Sequence, residues 1–121
     1  MRKLGVGIQN IKTVINNFIY IDKTQLIYEL VSTEDGAYFL SRPRRFGKSL
    51  LINTFYEIFS GNKELLKDLW IGKNTNYDFE NYPIVKFVFN NIDRFSIDEF
   101  KESLILQINS LAHDNGITIY L

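Results

Sequence analysis

The nine residues Ser41 to Ser49, SRPRRFGKS, constrain this chain more than any other stretch. They follow a short apolar and aromatic run, Ala37 to Ser41, and precede a segment whose apolar residues Leu50, Leu51, Ile52, Phe55, Ile58 and Phe59 recur at helical spacing. The first run reads as a buried strand. The second reads as a helix that begins near Gly47, ends at Gly61 and packs on more than one side. Strand, basic loop, helix is the setting of a phosphate-binding loop of the form G-x-x-x-x-G-K-[ST]. Aligned to that pattern, Gly47, Lys48 and Ser49 match, and Arg42 replaces the first glycine.

Each matching position has a physical task. Gly47 lets backbone approach an anion with no side chain in the way. The amides of Arg45, Phe46, Gly47, Lys48, Ser49 and Leu50 would surround that anion at a helix start, where the dipole favours negative charge. Lys48 would reach the terminal phosphates of a nucleotide, and the Ser49 hydroxyl would hold Mg²⁺. Arg42 and Pro43 instead remove backbone freedom. The plain alternative is a solvated basic loop whose Gly47 merely opens a helix.

Charge distribution favours the anion. Fourteen basic and fourteen acidic residues cancel, yet Ala37 to Tyr56 contains no acid while Arg42, Arg44, Arg45 and Lys48 crowd together. With no cysteine and one histidine, His113, disulfide frameworks and thiolate or histidine zinc sites are not expected. No stretch has the apolar length of a signal peptide or a membrane span, so a cytoplasmic location is the default.

Elsewhere, Ile8, Ile11, Ile15 and Phe18 predict a short amphipathic helix, and Phe18 to Ile21 a brief extended piece. Asp22 reads as the N-cap of a helix from Lys23 to about Ser32, with Gln25 in capping-box position and Ile21 and Leu26 as a staple. That helix is expected to bury Leu26, Ile27, Leu30 and Val31. Glu34 to Gly36 is a turn signal. Asn62 to Trp70 predicts a short helix, followed by a polar connection. Pro83 to Asn90 predicts a second strand. Ser96 and Glu99 form a capping box, with Phe95 and Phe100 as its staple, for a helix that stops near Asn115 and Gly116. Ile117 to Leu121 is a candidate third strand. The rhythm is that of an α/β fold with a parallel sheet and crossover helices. So few strands leave open edges and little core, and the expectation is the N-terminal part of a larger domain.

Two stretches, FIYIDKTQLIYELV and YFLSRPRRFGKSLLINTFYEIFSGNKELLKDLWI, closely resemble the predicted AAA-ATPase-like family, marked by a Y-[IV]-D-K-T segment and the SRPRRFGKS loop. GVGIQNIKTVINN and YPIVKF resemble that family's N-terminal end, so nearly the whole chain is covered. The family carries the same arginine in place of the first glycine. The resemblance implies a P-loop NTPase fold over residues 1–121, with helical segments at 8–32, strand, loop and helix at 37–60, and strand and helix at 83–121. It implies ATP and Mg²⁺ as ligands, held by Gly47, Lys48 and Ser49 with Arg44 and Arg45 as added anion contacts. A nuclease-like domain of the PD-(D/E)XK type often follows in such proteins. Tyr20, Asp22, Lys23 and Thr24 either line the adenine side or, for Asp22 and Thr24, simply cap a helix.

Hydrolysis needs a carboxylate at the end of a second strand. The run Pro83 to Asn90 has none, and Val88 stands where the family often has aspartate. Asp93 reads as a turn residue or a metal-side group. ATP binding without turnover is therefore expected of this chain alone. Glu57, Glu64 and Asp68 read as a solvated face, Trp70 and Phe79 as packing or base-stacking groups, and His113 as surface. Two other classes stay open: a nucleic-acid phosphate clamp built on the arginines, and an assembly element that needs a second copy or the remainder of a longer protein.

Overall fold

The computed structural model describes residues 1–33, 36–89 and 96–119. The chain starts with a minimal parallel β–α–β unit. Strand β1 (Lys3–Leu4) and strand β2 (Phe18–Ile19) pair in parallel, Lys3 opposite Phe18 and Leu4 opposite Ile19, across helix α1 (Ile11–Asn17). Asn10 starts α1 by accepting from the Thr13 amide at 3.1 Å, and the Ile11 amide donates to Asn53 Oδ1 at 2.7 Å. Helix α2 (Thr24–Val31) follows. Helix α3 (Lys48–Phe59) leaves the basic loop, and the short helices α4 (Lys63–Leu66) and α5 (Trp70–Asn74) come next. Helix α6 (Ile97–Asp114) is the longest. The architecture is mixed α/β, mostly helical, with one small two-stranded parallel sheet among the described residues.

Two compact units divide the chain, Met1–Tyr82 and Pro83–Leu121. The core of the first joins Ile27, Ile58, Leu66, Leu69, Ile71 and Phe79, with Leu51, Phe55 and Tyr77 packed against it. Gly61 ends α3 as expected. Its amide donates to the Ile58 carbonyl and the Asn62 amide to the Glu57 carbonyl, the paired bonds of a left-handed glycine cap. A side chain at Gly61 would meet the Phe79 carbonyl at 2.7 Å, so the glycine also admits the strand-like return at Asn81, which bridges Ser60.

In the second unit, Ser96 caps α6 by accepting from the Glu99 amide at 3.1 Å, as the capping-box spacing predicts. Gly116 closes it: its amide donates to the His113 carbonyl and the Ile117 amide to the Ala112 carbonyl. The Asn115 side chain accepts from the Ile84 amide at 3.2 Å and donates to the Ile84 carbonyl at 3.1 Å. Gln107 donates to the Val88 carbonyl.

Several expectations are corrected. The run Ala37 to Ser41 forms no strand: Phe39 is 93% exposed, and the Tyr38 hydroxyl instead meets Thr33 and the Leu30 carbonyl. Residues 83–89 form no strand either: the side chains of Asn115, at the C-cap of α6, and Gln107, within it, take up backbone groups of Ile84 and Val88. Residues 117–119 are likewise outside any strand. The parallel pair arises at the N-terminus instead. Of the apolar residues expected inside α2, Ile27 is buried, but Leu26 is 61% exposed and Ile21 70%, so no staple closes. The helix expected over 62–70 breaks after Leu66, and α5 takes the start of the expected polar connection. Glu34, Asp35, Asn90, Asn91, Asp93, Phe95, Tyr120 and Leu121 lie outside the described residues. No helix among the described residues is long and apolar enough to cross a membrane.

Candidate functional site

The basic loop reaches α3 through Gly47, whose φ of 79° is left-handed and which carries no side-chain cap. The first helical bond runs from the Leu51 amide to the Gly47 carbonyl at 2.9 Å. Ahead of it, the amides of Gly47, Lys48, Ser49 and Leu50 donate to no described residue. A Cβ placed on Gly47 would touch nothing within 4 Å, so the space beside this helix start is open. Unpaired helix-start donors beside open space suit an anion.

Lys48 is the first residue of α3, and its Nζ donates to the Arg42 carbonyl at 2.9 Å, closing the loop on itself. An ammonium group has three donors, so two remain. Arg44, Arg45, Phe46 and Ser49 are exposed, and Leu50 is half-buried as α3 turns inward. Arg45 has a φ of 66°. All seven expected site residues therefore sit contiguously around one helix start.

The second motif lies elsewhere in the structure's logic. Asp22 Oδ1 accepts from the Thr24 amide at 2.8 Å and the Thr24 hydroxyl at 2.7 Å, while Oδ2 accepts from the Trp70 amide at 2.6 Å. The fully buried Thr24 hydroxyl in turn accepts from the Ile71 amide at 3.1 Å. One carboxylate and one hydroxyl thus serve the first turns of both α2 and α5. Lys23, not Asp22, stands at the N-cap of α2, and its side chain makes no cap bond. Asp22 serves the helix start from one position earlier, so helix-start bonding, the plainer of the two readings, accounts for Asp22 and Thr24.

Tyr20 faces α3. Burial pushes its hydroxyl above tyrosine's usual 10.0; the Thr54 hydroxyl opposes that shift and the Asp22 charge adds to it. Unfolded tyrosine ionises near 10.0, whereas Tyr20 in the folded chain holds its proton to higher pH. Its contribution to stability is therefore complete below that value and is lost as pH rises through the folded one. Urea unfolding should show stability falling as pH rises past tyrosine's ordinary 10.0, with a shallower fall in Tyr20→Phe. An identical slope in the variant would refute the assignment.

The remaining candidates are structural. Phe79 is buried in the core, and Trp70 packs on Tyr28 with ring centroids 6.1 Å apart. Glu64 pairs with Lys67 at the surface, and Asp68 is exposed. Glu57 departs from the solvated reading: it is half-buried and accepts from Asn62 Nδ2 at 2.7 Å. His113 is at the surface beside Asp114. A separate cleft of about 430 Å³, lined by Tyr38, Phe55, Phe59, Tyr77 and Tyr82 among others, opens along the C-terminal half of α3. Sequence reasoning missed the role of Asn53 and Thr54, which tie the loop helix to α1 and Tyr20. Their polar character between the apolar residues Ile52 and Phe55 was the available signal.

Comparison with known proteins decides the family. A profile described as "Predicted AAA-ATPase" matches residues 5–119. The chain belongs to the predicted AAA-ATPase-like family. An uncharacterized protein in the vnfD 5′ region of Azotobacter chroococcum mcd 1 is 36% identical over 116 residues, covering 92% of this chain and 22% of that protein. The chain thus spans about a fifth of the length of that relative. No solved structure matches it. The AAA-ATPase-like match takes in the basic loop, α3 and the Asp22 clamp alike.

Proposed function

We propose that the segment Arg42 to Leu50 binds the phosphates of ATP with Mg²⁺, and that this chain is a nucleotide-binding module that does not turn ATP over alone. The observation that carries this reading is the set of unpaired amides from Gly47 to Leu50, with open space beside Gly47, at the start of a twelve-residue helix in a predicted ATPase family. In this reading those amides, with Arg45 and Phe46, line the phosphates, and the free donors of Lys48 meet the terminal one. The Ser49 hydroxyl is the protein's ligand to Mg²⁺, and Arg44 and Arg45 add positive charge at the rim. When bound, Mg²⁺ neutralises charge on the phosphate oxygens. The reading stops at binding because Pro83 to Phe89 supplies no carboxylate.

Calorimetry with ATP–Mg²⁺ should give saturable binding to the wild type. Lys48→Ala should weaken it about tenfold or more, the value of one charge-assisted bond. Equal affinity in the two proteins, or no binding by a folded sample, would sink the proposal. Tight, salt-sensitive binding of DNA that ATP does not displace would favour the phosphate clamp instead.

A further inference from the structure

Of the chain's asparagines, Asn115 alone precedes a glycine. Asparagine is chemically labile, and most so in that setting, because glycine puts no side chain beside the nitrogen that can attack the carboxamide. In the second unit this same asparagine holds structure together. Its Oδ1 accepts from the Ile84 amide at 3.2 Å, and its Nδ2 donates to the Ile84 carbonyl at 3.1 Å and the Leu111 carbonyl at 2.8 Å. One carboxamide thus occupies both backbone groups of Ile84, as a neighbouring strand would, and ties the run 83–89 to the end of α6. The Gly116 nitrogen is engaged as well, donating to the His113 carbonyl at 3.0 Å. A ψ of 6° at Asn115 turns that nitrogen away from the Asn115 side chain. Attack therefore requires the carboxamide bonds and the helix cap to open together.

We propose that Asn115–Gly116 is a deamidation site that the folded second unit keeps silent, and that its reaction releases residues 83–89 from α6. Water is the only co-reactant. The Gly116 nitrogen loses its proton to solvent and bonds to Asn115 Cγ, and Nδ2 leaves as ammonia. Water then opens the five-membered imide at either carbonyl, leaving aspartate or isoaspartate. Neither product can replace the carboxamide. A carboxylate only accepts, so the Ile84 and Leu111 carbonyls lose their donor and face a negative charge. That charge also sits at the C-terminus of α6, where the helix dipole opposes it. The bond from Gln107 to the Val88 carbonyl is left to hold the run. An opening of this unit that lasts long enough for the ring to close is thus recorded as a permanent loss of its clamp. The proposal stands apart from the nucleotide reading.

Two measurements on the full chain test it. Peptide mass spectrometry after incubation follows the conversion of amide to acid at Asn115. In guanidinium chloride that conversion should run at least about tenfold faster than in the folded protein at the same pH and temperature, since folding withholds the reactive geometry. Equal rates, or no acid form in either sample, would overturn the proposal. Asn115→Asp carries the carboxylate of the product. Its amides at 83–89 should exchange with deuterium about tenfold faster than those of the wild type, the effect of losing one or two buried bonds. Unchanged exchange would mean that the carboxamide does not hold this run. If Asn115→Asp fails to fold, wild-type protein aged in native buffer is separated by charge. Its acidic fraction must then exchange faster at 83–89 than the unmodified fraction, and equal exchange in the two overturns the release.

Discussion

Replacing Gly72 by alanine should destabilise the chain by about 3 kcal/mol, although helix propensity alone forecasts a gain of about 1 kcal/mol. The reversal comes from where the new methyl group would go. A Cβ at Gly72 lies 2.5 Å from Lys67 Cα, 2.6 Å from the Leu66 carbonyl oxygen and 2.7 Å from that of Lys67. All three are backbone atoms at the end of α4, so no side chain can swing aside. Relief requires α4 and α5 to separate, yet Leu66 and Ile71, one on each helix, are both fully buried. Opening that contact loosens the core around Ile27, Ile58 and Phe79. Urea titration followed by the fluorescence of Trp70, the sole tryptophan, reads the change directly. A Gly72→Ala protein as stable as the wild type would mean that α4 and α5 do not approach this closely.

The elements legible in the sequence are those whose signals are local. Gly61 and Gly116 close α3 and α6 within one turn of the helices they end, and Ser96 caps α6 three residues from its partner. The loop was legible for the same reason, since Gly47, Lys48 and Ser49 adjoin the helix they open. Helix α5 was not, because the group that receives its first amide, Asp22, is 48 residues away. The buried face of α2 was misread because Thr24, a polar residue, goes inside by virtue of its bond to Ile71, while Leu26 turns out to solvent. Strands were the least legible, since an apolar run becomes one only when a partner offers its backbone. Ile84 and Val88 found the side chains of Asn115 and Gln107 in that role. Nor does any propensity mark Arg45 as left-handed.

Asp22→Ala should cost about 2 kcal/mol of stability and leave affinity for ATP–Mg²⁺ unchanged. Three donors lose their acceptor together: the Thr24 amide, the Thr24 hydroxyl and the Trp70 amide. Water can reach the exposed Trp70 end, which keeps the cost near that of one strong N-cap and part of a second. The buried Thr24 hydroxyl has no such recourse, and its bond to the Ile71 amide loses the partner that orients it. Asp22→Asn should recover about half, since its single carbonyl oxygen can serve one helix start while its amide group faces donors. Separating stability from affinity is what discriminates the two roles. A scaffold residue shifts the urea midpoint and leaves the dissociation constant of the folded protein alone, whereas a residue lining the adenine side does the reverse. Tenfold weaker ATP binding at unchanged stability would return Asp22 to the ligand. The expected outcome makes the YIDKT segment the clamp that joins α2 to α5, leaving nucleotide contact to the loop ahead of α3.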